Sequence, residues 1–101
     1  MAKKIVWSHE SKEDLDLIAE YISRDSIYFA ASFVQEILDV GYSLDMFSER
    51  GRVVPELGNQ KIREVFVKNY RLFYSIEDTR IVILGIIHGK RDFKKVIDRI
   101  N

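Results

Sequence analysis

Glu56, Arg63, Glu64, Arg71, His88, Lys90 and Arg91 are the side chains in this sequence whose types and spacing suit acid–base and phosphate chemistry. Cleavage of RNA without a metal needs a base for the ribose 2′-hydroxyl proton, cations for the charge on the phosphorane, and an acid for the leaving oxygen. Glu56 or Glu64 fits the base and Arg63, Arg71 and Arg91 the cations. His88 fits the acid, because imidazole titrates near neutrality. Each residue also has a plainer use. His88 can be a hydrogen-bonded histidine at a strand end, and Glu64 with Arg71 a cross-strand ion pair worth about 0.2–1 kcal/mol. Trp7, Phe66 and Phe73 can pack a core rather than stack on bases. His9 sits at a helix start and takes no role. The sequence has no phosphate-binding glycine loop, no GxGxxG, no histidine pair spaced for zinc and no cysteine, so neither cofactor nor metal is expected.

These residues can meet only if one sheet face carries them. Residues 62–67, 70–76 and 80–88 are rich in β-branched and aromatic types at period two, which predicts three consecutive antiparallel strands. A two-residue turn at Lys68-Asn69 pairs Val67 with Tyr70, hence Glu64 with Phe73 and Phe66 with Arg71. If Ile76 then pairs with Ile81 and alternation runs on, one face holds Glu64, Phe66, Arg71, Phe73, Leu84, Ile86 and His88. The other holds Val65, Val67, Tyr70, Leu72, Tyr74, Ile76, Ile81, Ile83 and Ile87, with Arg63 towards its end, and is the face for helices to cover. A one-residue slip of the last strand would remove His88 from the first set.

Ahead of the strands the period is helical. A short strand over residues 4–7 leads to Ser8 and Ser11, either of which can cap a helix of about 11–24; Ser11-x-x-Asp14 resembles a capping box. Leu15, Ile18 and Ile22, with Tyr21 beside them, make its apolar stripe, and Glu13, Asp14, Asp16 and Glu20 its wet side. A second stripe of Ala30, Phe33, Val34, Ile37, Gly41 and Leu44 predicts a helix of about 27–47, antiparallel to the first. Gly41 on that stripe implies a closely packed neighbour, since glycine costs roughly 1 kcal/mol against alanine in a helix. Residues 48–59 hold the sole proline and read as a surface loop. Phe93, Val96, Ile97 and Ile100 among charged residues predict a short amphipathic helix or mobile tail over 93–101. No segment approaches a membrane span, and Met1-Ala2-Lys3-Lys4 leads into only three apolar residues, so a cytoplasmic protein with no membrane partner is expected.

The chain reads as one α+β domain, residues 1–101. Its net charge of zero conceals a division: residues 1–49 carry 4 basic and 10 acidic side chains, and residues 50–101 carry 12 and 6, so the halves stand at −6 and +6. The second half is the one suited to an anionic partner, unless the halves simply neutralise each other.

The order of elements, with Trp7 closing the first strand, Ala19-Glu20-Tyr21-Ile22, Gly51-Arg52-x-x-Pro55-Glu56, Arg63-Glu64, Tyr70-Arg71-x-x-Tyr74 and His88-Gly89-x-Arg91-Asp92, resembles the RelE/ParE superfamily of type II toxin–antitoxin toxins, most of all its ParE or plasmid-stabilisation branch. The resemblance spans about residues 4–92. It implies a fold of N-terminal strand, antiparallel helix hairpin and a three-stranded meander completing the sheet, and a toxin held inactive in a hetero-oligomer with a cognate antitoxin. RelE-like members cleave mRNA at the ribosome, whereas ParE-like members inhibit DNA gyrase. By position, Arg63, Arg71, His88 and Arg91 match or neighbour residues the nucleases use. The loop before the second strand, however, offers Lys61 alone, no tyrosine follows Tyr74, and the chain lacks a strongly basic balance. The resemblance therefore implies a gyrase inhibitor first and an mRNA interferase second, with a toxicity-free binding module as the third reading. Arg63, Arg71, Lys90, Arg91, Phe93, Val96 and Ile97 are then the expected antitoxin- or target-binding residues, and Glu56, Arg63, Arg71 and His88 the catalytic set if the chain is a nuclease.

Overall fold

The computed structural model describes residues 2–89 and 93–100. Strand β1 (Lys4–Trp7) hands the chain to Ser8, whose hydroxyl oxygen accepts from the Ser11 amide at 3.1 Å and caps helix α1 (His9–Ser23). Ser11 is not the cap. Its hydroxyl is buried and donates to the Ser8 carbonyl, so no capping box forms with Asp14. Leu15, Ile18 and Ile22 pack into the core as their stripe predicts, but Asp14, expected on the wet side, is buried with Ser11 and Ile18, and Tyr21 is exposed.

Ser26 caps α2 (Ile27–Ser43) through the Phe29 amide, and the helix ends at Ser43 rather than near 47, with Leu44 buried in the turn that follows. The expected close neighbour of Gly41 is Trp7. A Cβ on Gly41 would lie 2.5 Å from Trp7 Cζ2, which locks the hairpin onto the first strand.

The sheet has five strands in the order β1-β5-β4-β3-β2. Its fifth member, β2 (Arg52–Val53), lies inside the segment read as loop; two residues are too few to show a period. β3 (Ile62–Val67) and β4 (Tyr70–Ile76) pair as expected, Val67 opposite Tyr70, Glu64 opposite Phe73 and Phe66 opposite Arg71. Lys68 takes the positive φ, 53°, that the tight turn requires. β5 (Arg80–His88) runs antiparallel to β4 and parallel to β1.

Ile76 does oppose Ile81, but alternation does not run on. Tyr74 opposes Ile83 and Phe73 opposes Gly85, so Leu84 is an extra residue in a β-bulge. Beyond it every side chain of β5 changes face. Ile86 joins Ile18, Phe33, Ile37, Leu72 and Ile83 under the helix hairpin, and Ile87 joins Phe73 on the opposite side.

That opposite side is not a bare charged surface. Helix α3 (Lys94–Ile100) covers it, building a second core from Val54, Ile62, Phe73, Ile87, Phe93 and Val96. The sheet is thus enclosed by the hairpin on one face and by α3 with the 54–57 turn on the other. Among the described residues no helix is long and apolar enough to cross a membrane.

Candidate functional site

Arg71 is the second residue of the central strand β4 and lies on the α3 side of the sheet. Its Nε donates to Glu64 Oε1 at 2.6 Å, while Nη1 and Nη2 donate to Glu56 Oε2 and Oε1 at 3.1 and 3.0 Å. Arg52 Nε donates to the other Glu64 oxygen at 2.8 Å. Phe73 and Phe93 flank the guanidinium, with ring centroids 4.9 and 5.2 Å from its carbon. Two carboxylates and two guanidinium groups thus form one continuous chain, Glu56–Arg71–Glu64–Arg52, with Glu64 and Arg71 buried.

The electrostatics follow from this geometry. The hydrogen bond from Arg71 holds the Glu56 carboxyl below its ordinary range, outweighing the opposing effect of burial. Burial works against the charge of Arg71, but its hydrogen bonds to Glu56 and Glu64 prevail and hold the guanidinium above its usual value. A carboxylate so stabilised in its charged form is a weak proton acceptor. A guanidinium already matched by two carboxylates has little left for a phosphate.

Arg63, also expected to face an anion, is fastened to the protein's own loop: Nη1 donates to the Gly51 carbonyl at 3.0 Å and Nε to the Gln60 carbonyl at 3.2 Å. Tyr74 completes that clasp, its hydroxyl donating to the Ser48 carbonyl at 2.8 Å and accepting from the Gly51 amide at 2.9 Å. Burial raises the Tyr74 phenol above its ordinary value, against the lowering effect of the Gly51 amide.

His88 is separated from all of these. The bulge puts it opposite Tyr70 on the hairpin side, ring centroids 5.3 Å apart and nearly perpendicular. The expectation that it shares the face of Arg71 is therefore incorrect, because Leu84 consumes one step of the alternation. Tyr70 and His88 instead border a groove between α1 and the end of β5, together with Leu17, Tyr21, Arg24 and Lys95.

Phe93 and Val96, expected as binding residues, are buried in the second core, and Ile97 packs against it. Lys90 and Arg91 lie outside the described residues. The sheet therefore brings Glu56, Glu64 and Arg71 together and does not bring His88 to them.

Two elements of this arrangement escape a reading of the sequence. Arg52 reaches Glu64 only because β2 exists, and nothing in Arg52-Val53 marks a strand. The second is a buried ion pair between Asp14 and Arg99 of α3, at 2.7 Å. Its trace in the sequence is the alignment of Ser11, Asp14 and Ile18 on one helical face at spacings of three and four.

Set against known proteins, residues 5–93 match the family model described as the ParE toxin of the type II toxin–antitoxin system parDE. No curated protein sequence matches significantly. Among solved structures, a chain of the chromosomal ParDE toxin–antitoxin system from P. aeruginosa superposes with a TM-score of 0.72 at 20% identity, covering 88% of this chain and 98% of that one. A chain of the toxin–antitoxin complex RelBE2 from Mycobacterium tuberculosis superposes with a TM-score of 0.65 at 18% identity, covering 87% and 99%. At these identities the likeness is one of fold.

Proposed function

The chain belongs to the ParE toxin family of type II toxin–antitoxin systems, and on that premise we propose that it acts in the cytoplasm by binding and inhibiting DNA gyrase until a cognate antitoxin protein neutralises it. One observation carries the choice of a binding over a cleaving toxin: the groups a metal-free nuclease would combine are divided by the sheet. His88 is on the hairpin side, and Arg71 and Glu56 are paired in a charge-balanced chain on the other. General acid catalysis requires the acid and the charge-stabilising cations at one phosphate, within hydrogen-bond reach.

The surfaces that suit a protein partner lie elsewhere. On the hairpin, Leu17, Tyr21, Ile27 and Tyr28 are largely exposed, the last at 82%. Such apolar side chains are the usual anchors of an interface. Around them the hairpin carries most of the acidic residues of the first half. Arg71, already matched by its own carboxylates, is not the anchor for acidic antitoxin residues that its position in the sequence suggests. Lys90 and Arg91, with Ile97, belong to the basic second half and are the remaining candidates for that role.

Induction in cells, alone and with the antitoxin, tests the reading together with a supercoiling assay on purified gyrase. Gyrase inhibition, filamentous growth and DNA-damage signalling, all relieved by the antitoxin, are the expected results. Unimpaired supercoiling alongside translation arrest and cleaved mRNA would replace this reading with that of an mRNA interferase. Normal growth on induction would remove both.

A further inference from the structure

The stretch Leu84-Gly85-Ile86-Ile87 reads equally well in two registers. Sliding β5 by one residue beyond Ile83 would exchange Ile86 and Ile87 between the two cores. Each core would still hold one isoleucine, Ile86 opposite Arg71 on the α3 side and Ile87 opposite Tyr70 on the hairpin side, with Gly85 coming opposite Leu72 where Ile86 now stands. Hydrophobic pattern normally fixes register, but here alternation alone gives each face one isoleucine either way. An unbulged strand would also restore a regular ladder, so the bulge needs a specific cause.

The cause is in the buried ion pair. Asp14, 5% exposed, accepts at Oδ2 from the Ile86 amide at 2.9 Å and from Arg99 Nη1 at 2.7 Å, and at Oδ1 from Arg99 Nη2 at 3.0 Å. Arg99 Nη1 also donates to the Leu84 carbonyl at 3.1 Å. The clip therefore holds the two residues on either side of Gly85, one from α1 and one from α3. Gly85 has no space for a side chain, since a Cβ there would press on Arg99 Nη1 and lie 3.1 Å from Asp14 Oδ2. Buried ionic groups can select one arrangement among near-equal alternatives, as polar residues do in coiled-coil register.

We propose that Asp14 and Arg99 set the register of β5: they are positioning residues whose hold on the bulge decides which sheet face carries His88. With the clip closed, His88 lies beside Tyr70. With it open, the unbulged strand is populated, and His88 moves to the face of Arg71.

Isoleucine-methyl and aromatic NMR on the full chain tests this. In the wild type, Ile86 methyls show NOEs to Ile18 and Phe33, Ile87 methyls to Phe73 and Phe93, and His88 to Tyr70. Asp14→Asn and Arg99→Gln should each give a second set of signals with the Ile86 and Ile87 contacts exchanged, and the His88–Tyr70 cross-peaks should weaken in proportion. A folded variant with one set of signals and wild-type contacts would overturn the proposal. If either variant unfolds, it is combined with deletion of Leu84, which makes the alternation regular with Ile86 and His88 on the hairpin face and so needs no clip. Recovery of a folded spectrum with wild-type contacts supports the proposal. A combined variant that stays unfolded overturns it.

Discussion

Replacing Arg71 by methionine separates a structural from a functional arginine. The Glu64 side chain, wholly buried, would keep a single partner, Arg52, whose own side chain is 60% exposed. Breaking one side of a buried ion pair costs about 3–5 kcal/mol, and the surviving Arg52 bond puts this variant near the lower end, about 3 kcal/mol. Methionine recovers the packing on Phe73 and Phe93 through its thioether, so no further loss is added. Domains of this size are stable by about 5–15 kcal/mol. At about 4–8 °C per kcal/mol, the melting temperature should fall by about 12–24 °C. Urea unfolding followed by the fluorescence of Trp7, the one tryptophan, measures the loss directly. Adding Glu64→Leu removes the stranded carboxylate, and the double variant should regain most of the stability together with toxicity on induction. A single variant as stable as wild type yet without toxicity would refute this reasoning and make Arg71 a contact residue for the target.

Glu56 has its folded-state pKa lowered, so its contribution is complete above the ordinary glutamate range near pH 4.3 and is lost as pH falls through the lowered value; wild type should therefore lose more stability than Glu56→Gln on acidification from about pH 5, read by urea melts across that range. Gly41→Ala should destabilise by about 1–3 kcal/mol through overpacking against the Trp7 ring, although alanine is the better helix former, and should shift Trp7 emission. His88→Ala should leave toxicity on induction largely intact, because His88 does not face Arg71 or Glu56; abolished toxicity in a folded His88→Ala protein would restore the nuclease reading.

The sequence is most legible where local chemistry leaves one solution. The two-residue turn at Lys68-Asn69 fixed the pairing of β3 with β4, and Gly41 on an apolar stripe announced the close approach of Trp7. It is least legible where two solutions bury the same groups. Ile86 and Ile87 satisfy either register, so the bulge, and with it the face of His88, depends on a contact between residues 14 and 99 that no local pattern reports. Asp14 reads as a solvated acid because its partner is 85 residues away. The Glu64–Arg71 neighbourhood was visible from strand pairing, but its extension to Arg52 and Glu56 required β2 and the 54–57 turn, which are too short to carry a period.

The parallel pairing of β1 with β5 also has a consequence in time. Residues 4–7 are synthesised well before their partners, residues 80–83. At about 5–20 residues per second, the helix hairpin waits several seconds on the ribosome with its apolar stripe uncovered before the strand that completes its core has been made. The hairpin is therefore available to another protein before the strand that completes its core exists.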